Sequence, residues 1–486
     1  MAPGKESAAG LDAPFRTRVR RLDPIPLAVA MEVLPEPLGV WTGPDEATIV
    51  ASGERRTLTA GGAERIQAIR RQARPLFDSV ETVEPSQARP RLFGGISFHP
   101  RTHLRPPWEA FSPASFVLPA LQLVQDDTEA WLTAIADPNA TDSPGLETLA
   151  SRLVTASPET TSRPGISQTR FSVGEERWRQ HVADLTASIA SVETVADPGN
   201  RAEETGTADT SAESTGADAK DEEISGPPIA ESIDKVVLAQ ALEVTLQRPF
   251  APQPVLSALS ETYPDCFRFA VSRPSASQRP ERDRERATFF GASPERLVSK
   301  RGRRVSTTAL AGTVERGETS DEDQVLSSTL QTDPKIEREH GVVVERIEGQ
   351  LSSIGTDVTV GNTEVRRLDA VQHLETPLSA TAPEGGHVLD IVEALHPTPA
   401  VGGLPPGPAM EAIEEREPVD RGWYAGPVGW FDADGDGTFA VGIRSAVATG
   451  DRATLFAGNG IVADSDPADE WDEVRLKFRP VLDHLD

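Results

Sequence analysis

Cysteine is almost missing from this chain of 486 residues, in which Cys266 is the only one. A single thiol excludes a disulfide framework, a zinc site built on cysteines and a redox centre made of a cysteine pair. Lysine is scarce as well, since only six of the 48 basic residues are lysines. Each lysine is therefore a candidate for a specific role.

Long apolar runs and an excess of basic charge are also missing. No apolar run approaches the roughly 20 residues of a membrane span, and the N-terminus has no apolar signal-peptide core. The net charge is −28, with 76 acidic against 48 basic residues, so no basic stripe is available to meet nucleic-acid phosphates. We expect a soluble cytoplasmic protein that binds neither membranes nor nucleic acids.

The acidic excess is typical of a halophile-like proteome, because concentrated salt screens the self-repulsion of such a chain. Residues 193–230 are rich in acidic and small polar side chains and hold almost no large apolar ones. Such a segment cannot offset its ordering entropy by burial. We predict a disordered acidic insertion there, a flexible N-terminus at residues 1–20, and ordered parts at residues 21–192 and 231–486.

Hydrophobic periodicity predicts that the ordered parts mix helices with strands. Buried strands are predicted at residues 93–98, 116–123 and 235–246. Helices are predicted at residues 62–74, 175–192 and 334–353, and a hairpin lies between residues 425 and 456.

The C-terminal stretch 457–478 combines a glycine-rich segment with a helix. We predict a glycine turn at residues 458–460, where the backbone can approach a ligand closely. A helix should begin near Asp466, a suitable N-cap, and Glu470, Glu473 and Lys477 should share one of its faces. Two carboxylates and a cation could hold a divalent metal together with an anionic substrate. The alternative is a solvated helix face with a Glu–Lys ion pair.

Seven further motifs accompany this stretch in a fixed order. They are GASPERL (291–297), TALAGT (308–313), EREH (337–340), QHLETPL (372–378), HPTPAVGG (396–403), RGWYAGPVGW (421–430) and AVGIRSA (440–446). With them the chain resembles the chorismate-utilising enzymes and, among these, the isochorismate synthases. The resemblance is dense over residues 230–486 and thinner before them. It implies an α+β fold of two large antiparallel sheets flanked by helices, with the active site in a cleft lined mainly by the C-terminal half.

The resemblance also implies a reaction and the residues that perform it. Isochorismate synthases add water at C2 of chorismate while the C4 hydroxyl leaves. Lys235 matches the general base and Glu295 the general acid, whose pKa must be raised for it to carry a proton. The acidic residues that hold Mg²⁺ are matched by Glu339, Glu470 and Glu473. The residues that contact the substrate are matched by His373, Thr376, Tyr424, Arg444, Gly458 and Lys477.

Other members of the family remain alternatives. Anthranilate synthases usually lack the lysine at the position of Lys235, and aminodeoxychorismate synthases typically carry a lysine where this chain has Ala311. Salicylate synthases, which go on to eliminate pyruvate, typically carry a threonine where this chain has Ala400. A chorismate-binding protein without catalysis is a further alternative. The resemblance favours an isochorismate synthase of menaquinone synthesis, a monomer without a glutaminase subunit.

Two positions depart from the family pattern. Gln240 replaces an arginine in the strand that begins KVVLA, and Asn459 stands between two glycines where the family usually has alanine. We expect these departures to affect local packing and substrate affinity, not the base or the acid.

Overall fold

The computed structural model describes residues 15–35, 37–101, 105–137, 145–158, 162–196, 233–275, 285–317, 319–367, 371–417 and 419–486. Within these ranges the helices are α1 Leu27–Val33, α2 Arg65–Asp78, α3 Leu146–Thr155, α4 Glu175–Ala196, α5 Pro252–Thr262, α6 Ser320–Thr332, α7 Pro334–Ile354, α8 Val388–Leu395, α9 Pro406–Arg416 and α10 Pro467–Leu482. None of these helices is long and apolar enough to cross a membrane.

The strands of the described ranges are β1 Arg16–Leu22, β2 Pro37–Thr42, β3 Thr48–Ala60, β4 Arg91–Ile96, β5 Ala114–Gln125, β6 Ala130–Ala136, β7 Ile166–Phe171, β8 Lys235–Leu246, β9 Phe267–Pro274, β10 Arg286–Ser293, β11 Arg296–Arg301, β12 Arg304–Glu315, β13 Thr356–Val360, β14 Glu364–Arg367, β15 Val371–Thr381, β16 Gly403–Leu404, β17 Pro427–Asp432, β18 Gly437–Val441, β19 Ser445–Thr449 and β20 Arg452–Ile461. The predicted α+β class is confirmed.

The strands form two antiparallel sheets that share strand β5. One sheet runs β7–β8–β20–β19–β10–β9–β2–β3 and reaches β5 through β3. The other runs β15–β12–β11–β18–β17–β4 and reaches the opposite edge of β5 through β4. The two predicted sheets are therefore joined into one hydrogen-bonded network, because β5 pairs with β3 along one edge and with β4 and β6 along the other.

The predicted helices and strands occur with small shifts in their ends. The helix predicted at residues 334–353 is α7, which buries the side chains of His340, Val343, Ile347 and Leu351. The predicted hairpin is confirmed by the pairing of β17 with β18. The helix predicted from Asp466 is α10, where the Asp466 carboxylate accepts hydrogen bonds from the backbone N–H groups of residues 468 and 469.

The flexible N-terminus predicted for residues 1–20 is wrong at its C-terminal end. Residues 16–22 form β1, which pairs along its whole length with β6. Short runs of alternating Arg with Thr, Val and Leu look polar in sequence, but one edge of β6 is available to pair with them. At the other boundary α4 extends to Ala196, and the rest of the predicted acidic insertion lies outside the described residues.

An aromatic cluster fills the core beneath the C-terminal half of the fold. Trp108 stacks on Phe456 with ring centroids 5.4 Å apart, and Tyr424 stacks on the same ring at 5.3 Å. Trp423 and Phe289 complete the cluster, and all five side chains are buried. Offset aromatic pairs add about 0.5–1.5 kcal/mol each to their burial. The cluster therefore provides a rigid base under strand β20.

Candidate active site

Lys235 is the first residue of β8 and reaches across to helix α7. Its side chain is 13% exposed, and Nζ lies 2.6 Å from Oε1 of Glu339. Gly460 faces it from the paired strand β20, where a Cβ would lie 2.5 Å from Cε of Lys235. The absence of a side chain at position 460 therefore makes the space that the lysine occupies.

The glycine turn predicted at residues 458–460 is wrong. These residues continue β20 and pair with residues 237–239 of β8. The glycines are needed for close approach instead, since a Cβ at Gly458 would lie 3.0 Å from the Tyr424 hydroxyl and 3.0 Å from the Leu238 carbonyl oxygen. Sequence alone could not separate these two uses of glycine.

Glu295 lies in the short link between β10 and β11 and is 6% exposed. Burial raises the pKa of its carboxyl group to about 7. A hydrogen bond from Oγ1 of Thr398 at 3.2 Å and the charge of Lys235 act in the opposite direction. Near neutral pH a substantial fraction of Glu295 thus carries a proton, as a general acid requires.

Residues 396–404 connect the candidate acid to the candidate base. Thr398 bonds Glu295, and β16 at the end of the segment pairs with β8 so that Leu404 lies opposite Lys235. The backbone N–H of Val237 also donates to the carbonyl of Gly402 at 3.1 Å. Thr398 has no role in the sequence-based prediction, because nothing in the HPTP motif distinguishes a threonine that bonds the acid from one exposed in a loop.

Helix α10 presents the predicted charged face to strand β20. Nζ of Lys477 lies 2.7 Å from Oε1 of Glu473 and donates to the Gly458 carbonyl at 3.0 Å. Glu470 accepts a hydrogen bond from Oγ of Ser465 at 2.8 Å. Burial and, secondarily, the nearby charge of Glu473 raise the pKa of Glu470. The predicted Glu–Lys ion pair exists, but this face lies against the sheet and is only partly exposed.

The three predicted metal ligands are not gathered into one closed set. Glu470 and Glu473 are close enough for their charges to interact, whereas Glu339 bonds Lys235. In the described part of the chain no three His, Cys, Asp or Glu side chains are grouped as a metal ion would need. The chemistry of the donors nevertheless suits Mg²⁺, which prefers carboxylate oxygens and keeps several waters. A cation would also relieve the repulsion between Glu470 and Glu473.

Two of the candidate substrate contacts, Arg444 and Lys477, lie near enough to His373 on strand β15 for their charges to act on it. Burial, followed by the charges of Arg444 and Lys477, lowers the pKa of His373 to about 3, so its imidazole is neutral. Arg444 lies between β18 and β19 with a φ of 48°, in the left-handed region that non-glycine residues rarely adopt. The two cations thus come from separate elements and act on one histidine.

Thr376 and Tyr424 are both buried, but they differ in their surroundings. The Thr376 hydroxyl bonds Nε2 of His340 at 2.7 Å and the Thr363 hydroxyl at 2.7 Å, which ties strand β15 to helix α7 beside Glu339. Burial raises the pKa of Tyr424, whose hydroxyl faces Gly458. The Thr376 hydroxyl thus holds β15 to α7, whereas the Tyr424 hydroxyl lies beside strand β20 at Gly458.

A buried ion pair that the sequence-based prediction did not identify holds β8 in place. Arg421 and Glu417 bond each other with both side chains under 5% exposed. Arg421 also donates to the carbonyls of Val401 and Val237 at 2.7 Å each, and Glu417 accepts from the N–H of Ala239 at 2.7 Å. The pair therefore clamps the strand of Lys235 to the segment of Thr398. Arg421 lies within the RGWY motif, yet only the fold reveals what it bonds.

The unusual Gln240 serves packing. It is fully buried in β8, and its amide bonds the Ser172 hydroxyl at 2.7 Å and the Val173 carbonyl at 2.8 Å. These bonds attach β8 to the link between β7 and α4, away from the charged residues of the site.

A cavity of about 980 Å³ opens further along β8 and β20. Ala241, Glu243, Thr454 and Phe456 contribute to its walls, and none of the predicted site residues does. The candidate site is therefore a cluster of side chains at the other end of these two strands.

Comparison with known proteins now identifies the class of protein. The family model described as chorismate binding enzyme matches residues 13–195 and 225–486. The chain belongs to this family.

The particular relatives are isochorismate synthases. The chain is 31% identical to the isochorismate synthase MenF of Bacillus subtilis, over 92% of this chain and 87% of the relative. It is 32% identical to the salicylate biosynthesis isochorismate synthase of Pseudomonas aeruginosa, over 96% of this chain and 88% of the relative. The solved structure of MenF from Escherichia coli has the same fold, with a TM-score of 0.72 over 98% of this chain and 96% of the other, at 24% identity.

Proposed function

We propose that this chain is an isochorismate synthase, an isomerase that adds water at C2 of chorismate and releases the C4 hydroxyl. One observation carries the proposal. Glu295, buried and with a pKa of about 7, lies near enough to Lys235 for their charges to interact, and residues 396–404 connect the two. A proton donor and a proton acceptor held on separate elements suit a reaction in which one hydroxyl enters as another leaves.

In this proposal Lys235 and Glu295 handle the two protons. Lys235 removes a proton from the attacking water, and Glu339 at 2.6 Å fixes the position of Nζ. Glu295 gives its proton to the departing C4 hydroxyl. Thr398 orients the Glu295 carboxyl group through the 3.2 Å hydrogen bond. In the reverse direction the same two residues exchange their roles.

Chorismate carries two carboxylates, which the proposal assigns to the cationic part of the site. Arg444, whose guanidinium is well shaped for a carboxylate, and Tyr424 would hold the enolpyruvyl carboxylate. Lys477 and the backbone at Gly458 would contact a carboxylate as well. His373 stays neutral beside these cations because of its lowered pKa, so it can line the ring site as a hydrogen-bonding group without adding charge.

We assign Mg²⁺ to the carboxylates of Glu339, Glu470 and Glu473. The ion would neutralise the carboxylate on the substrate ring. Glu470 and Glu473 are neighbours, and Glu339 would have to share its carboxylate between the ion and Lys235.

The setting of the enzyme is also part of the proposal. We place it in menaquinone synthesis in the cytoplasm of a salt-rich cell, as a monomer that needs no glutaminase subunit. The menaquinone-specific enzyme with the same fold and the net charge of −28 support this assignment.

Replacing Glu473 by glutamine is expected to raise the Mg²⁺ concentration for half-maximal activity roughly tenfold or more, since one metal carboxylate is lost. Titration of activity with Mg²⁺ at saturating chorismate measures this. Asp472→Asn removes the same charge from an exposed position of α10, where Asp472 lies 3.6 Å from Arg475, and should leave the titration unchanged. An unchanged Mg²⁺ titration for Glu473→Gln would remove this residue from the metal site.

Product analysis tests the proposed function itself. The protein is incubated with chorismate and Mg²⁺ in molar KCl without an ammonia source, and the products are separated by chromatography. We expect isochorismate alone. Salicylate with pyruvate would instead indicate a salicylate synthase, and unchanged chorismate with folded protein at several salt concentrations would favour a chorismate-binding protein without catalysis.

A further inference from the structure

Asn459 bonds two functional candidates of helix α10 at once. Its side chain is fully buried, and Nδ2 donates to Oε2 of Glu470 at 2.9 Å and to the Glu470 carbonyl at 2.7 Å. Its Oδ1 accepts from Nζ of Lys477 at 2.9 Å. One amide thus contacts a carboxylate assigned to the metal and a cation assigned to the substrate, although these lie seven residues apart on the helix.

The position of Asn459 in β20 explains why it can reach both. Gly458 faces Tyr424 and Gly460 faces Lys235, so the alternation of a strand turns the side chain of residue 459 towards the opposite face. Helix α10 packs on that face. An alanine at this position could make none of these side-chain hydrogen bonds.

Each partner of Asn459 keeps other hydrogen bonds. Glu470 is also bonded by Ser465, and Lys477 also bonds Glu473 and the Gly458 carbonyl. Losing the amide would therefore not leave either group isolated, but it would remove the side chain that hydrogen-bonds both of them. Loss of a hydrogen bond to a metal-binding carboxylate typically lowers the metal affinity 10- to 100-fold.

We propose that Asn459 is a positioning residue that orients Glu470 for the metal and Lys477 for the substrate carboxylate. This inference rests on the proposed function. Asn459 would hold one residue of the metal subsite and one of the substrate subsite, so a substitution there should weaken metal binding and substrate binding together. Ser465, which bonds Glu470 and not Lys477, supports the metal subsite alone.

Isothermal titration of the substrate-free protein with Mg²⁺, and the KM for chorismate at saturating Mg²⁺, separate the two effects. For Asn459→Ala we expect the Mg²⁺ Kd to rise roughly tenfold or more and the KM to rise severalfold. For Ser465→Ala we expect a higher Mg²⁺ Kd with an unchanged KM. Gln122→Ala is the matched control, because Gln122 is a fully buried amide that bonds the backbone of Arg89 and Arg91 in another part of the fold; both constants should stay unchanged.

Folded Asn459→Ala protein with wild-type Kd and KM would overturn the inference, as would a rise in only one of the two constants. If Asn459→Ala does not fold, Asn459→Ser is measured in the same way, since its hydroxyl is too short to span both partners. A wild-type protein that binds Mg²⁺ but does not turn over chorismate would overturn the proposed function. The Mg²⁺ Kd values of the wild type and the variants would still test whether Asn459 orients Glu470. A wild-type protein that binds no Mg²⁺ would overturn the inference.

Discussion

Replacing Lys235 by alanine is expected to lower kcat for isochorismate formation by about 10²- to 10⁴-fold, the usual contribution of a positioned general base. Chorismate should still bind, because Arg444, Tyr424 and Lys477 remain. The variant removes the group that we expect to accept the proton of water, and it leaves Glu339 without the partner that it has at 2.6 Å. Single-turnover product formation measures the chemical step, and titration calorimetry with chorismate measures binding.

Lys335 offers a matched control in a chain that is poor in lysine. It is 61% exposed and pairs with Asp464 on the surface, so Lys335→Ala should keep wild-type kcat and KM. Turnover of Lys235→Ala close to that of Lys335→Ala would refute the role of Lys235 as the base. A variant that lost chorismate binding together with turnover would assign Lys235 to substrate binding instead.

Replacing Glu295 by glutamine is expected to have opposite effects on activity and stability. Activity should fall by about 10²- to 10⁴-fold because the amide cannot donate the proton that the leaving hydroxyl needs. The free energy of unfolding at pH 8 should rise by about 3 kcal/mol, since a pKa difference of one pH unit corresponds to about 1.4 kcal/mol and burial raises the pKa of Glu295 from 4.5 to about 7. Urea unfolding and product analysis measure the two effects.

The sign of the stability effect follows from proton binding. Between pH 4.5 and about 7 the folded protein keeps the proton of Glu295 while the unfolded chain has released it. The folded state binds more protons, so wild-type stability falls as the pH rises through this window. The stability advantage of Glu295→Gln should therefore be absent below pH 4.5, grow through the window and level off above about pH 7.

Asp432→Asn is the control for this experiment. Asp432 is a second carboxyl group whose pKa burial raises, here to about 6, and it lies at the end of β17 outside the site. Its variant should keep full activity. The assignment of Glu295 as the acid would be wrong if Glu295→Gln retained wild-type kcat, and the burial argument would be wrong if its stability followed that of the wild type at every pH.

The glutamates of the site differ in whether they are paired with a lysine. Two lysines each bond a glutamate assigned to the metal, Lys235 with Glu339 and Lys477 with Glu473. The Glu295 carboxyl group instead accepts a hydrogen bond from the neutral hydroxyl of Thr398. Burial can therefore favour the protonated form of Glu295, whereas the two paired glutamates would share their carboxylates between a lysine and a cation.

Local physics, readable in the sequence, determined the secondary elements that carry the site. The apolar run in KVVLAQALEVTL predicted strand β8, and the N-cap at Asp466 predicted the start of helix α10. These signals depend on neighbours within a few residues, so they survive without knowledge of the fold. The ordered motifs added the family, which the family model matching residues 13–195 and 225–486 confirms. The candidate roles of the site residues stay predictions.

Only the tertiary structure decided which side chains meet. The sequence predicted a turn at residues 458–460, but these residues pair with strand β8. Glycine is found both in turns and where another group approaches the backbone closely, so its presence does not distinguish the two. Thr398 bonds Glu295, which lies 103 residues away along the chain. Asn459 bonds Glu470 and Lys477, which lie 11 and 18 residues away. The raised pKa of Glu295 also depends on the tertiary structure, because it results mainly from burial. Burial depends on how completely elements distant in sequence exclude water from the carboxyl group, and a local sequence pattern does not contain that information.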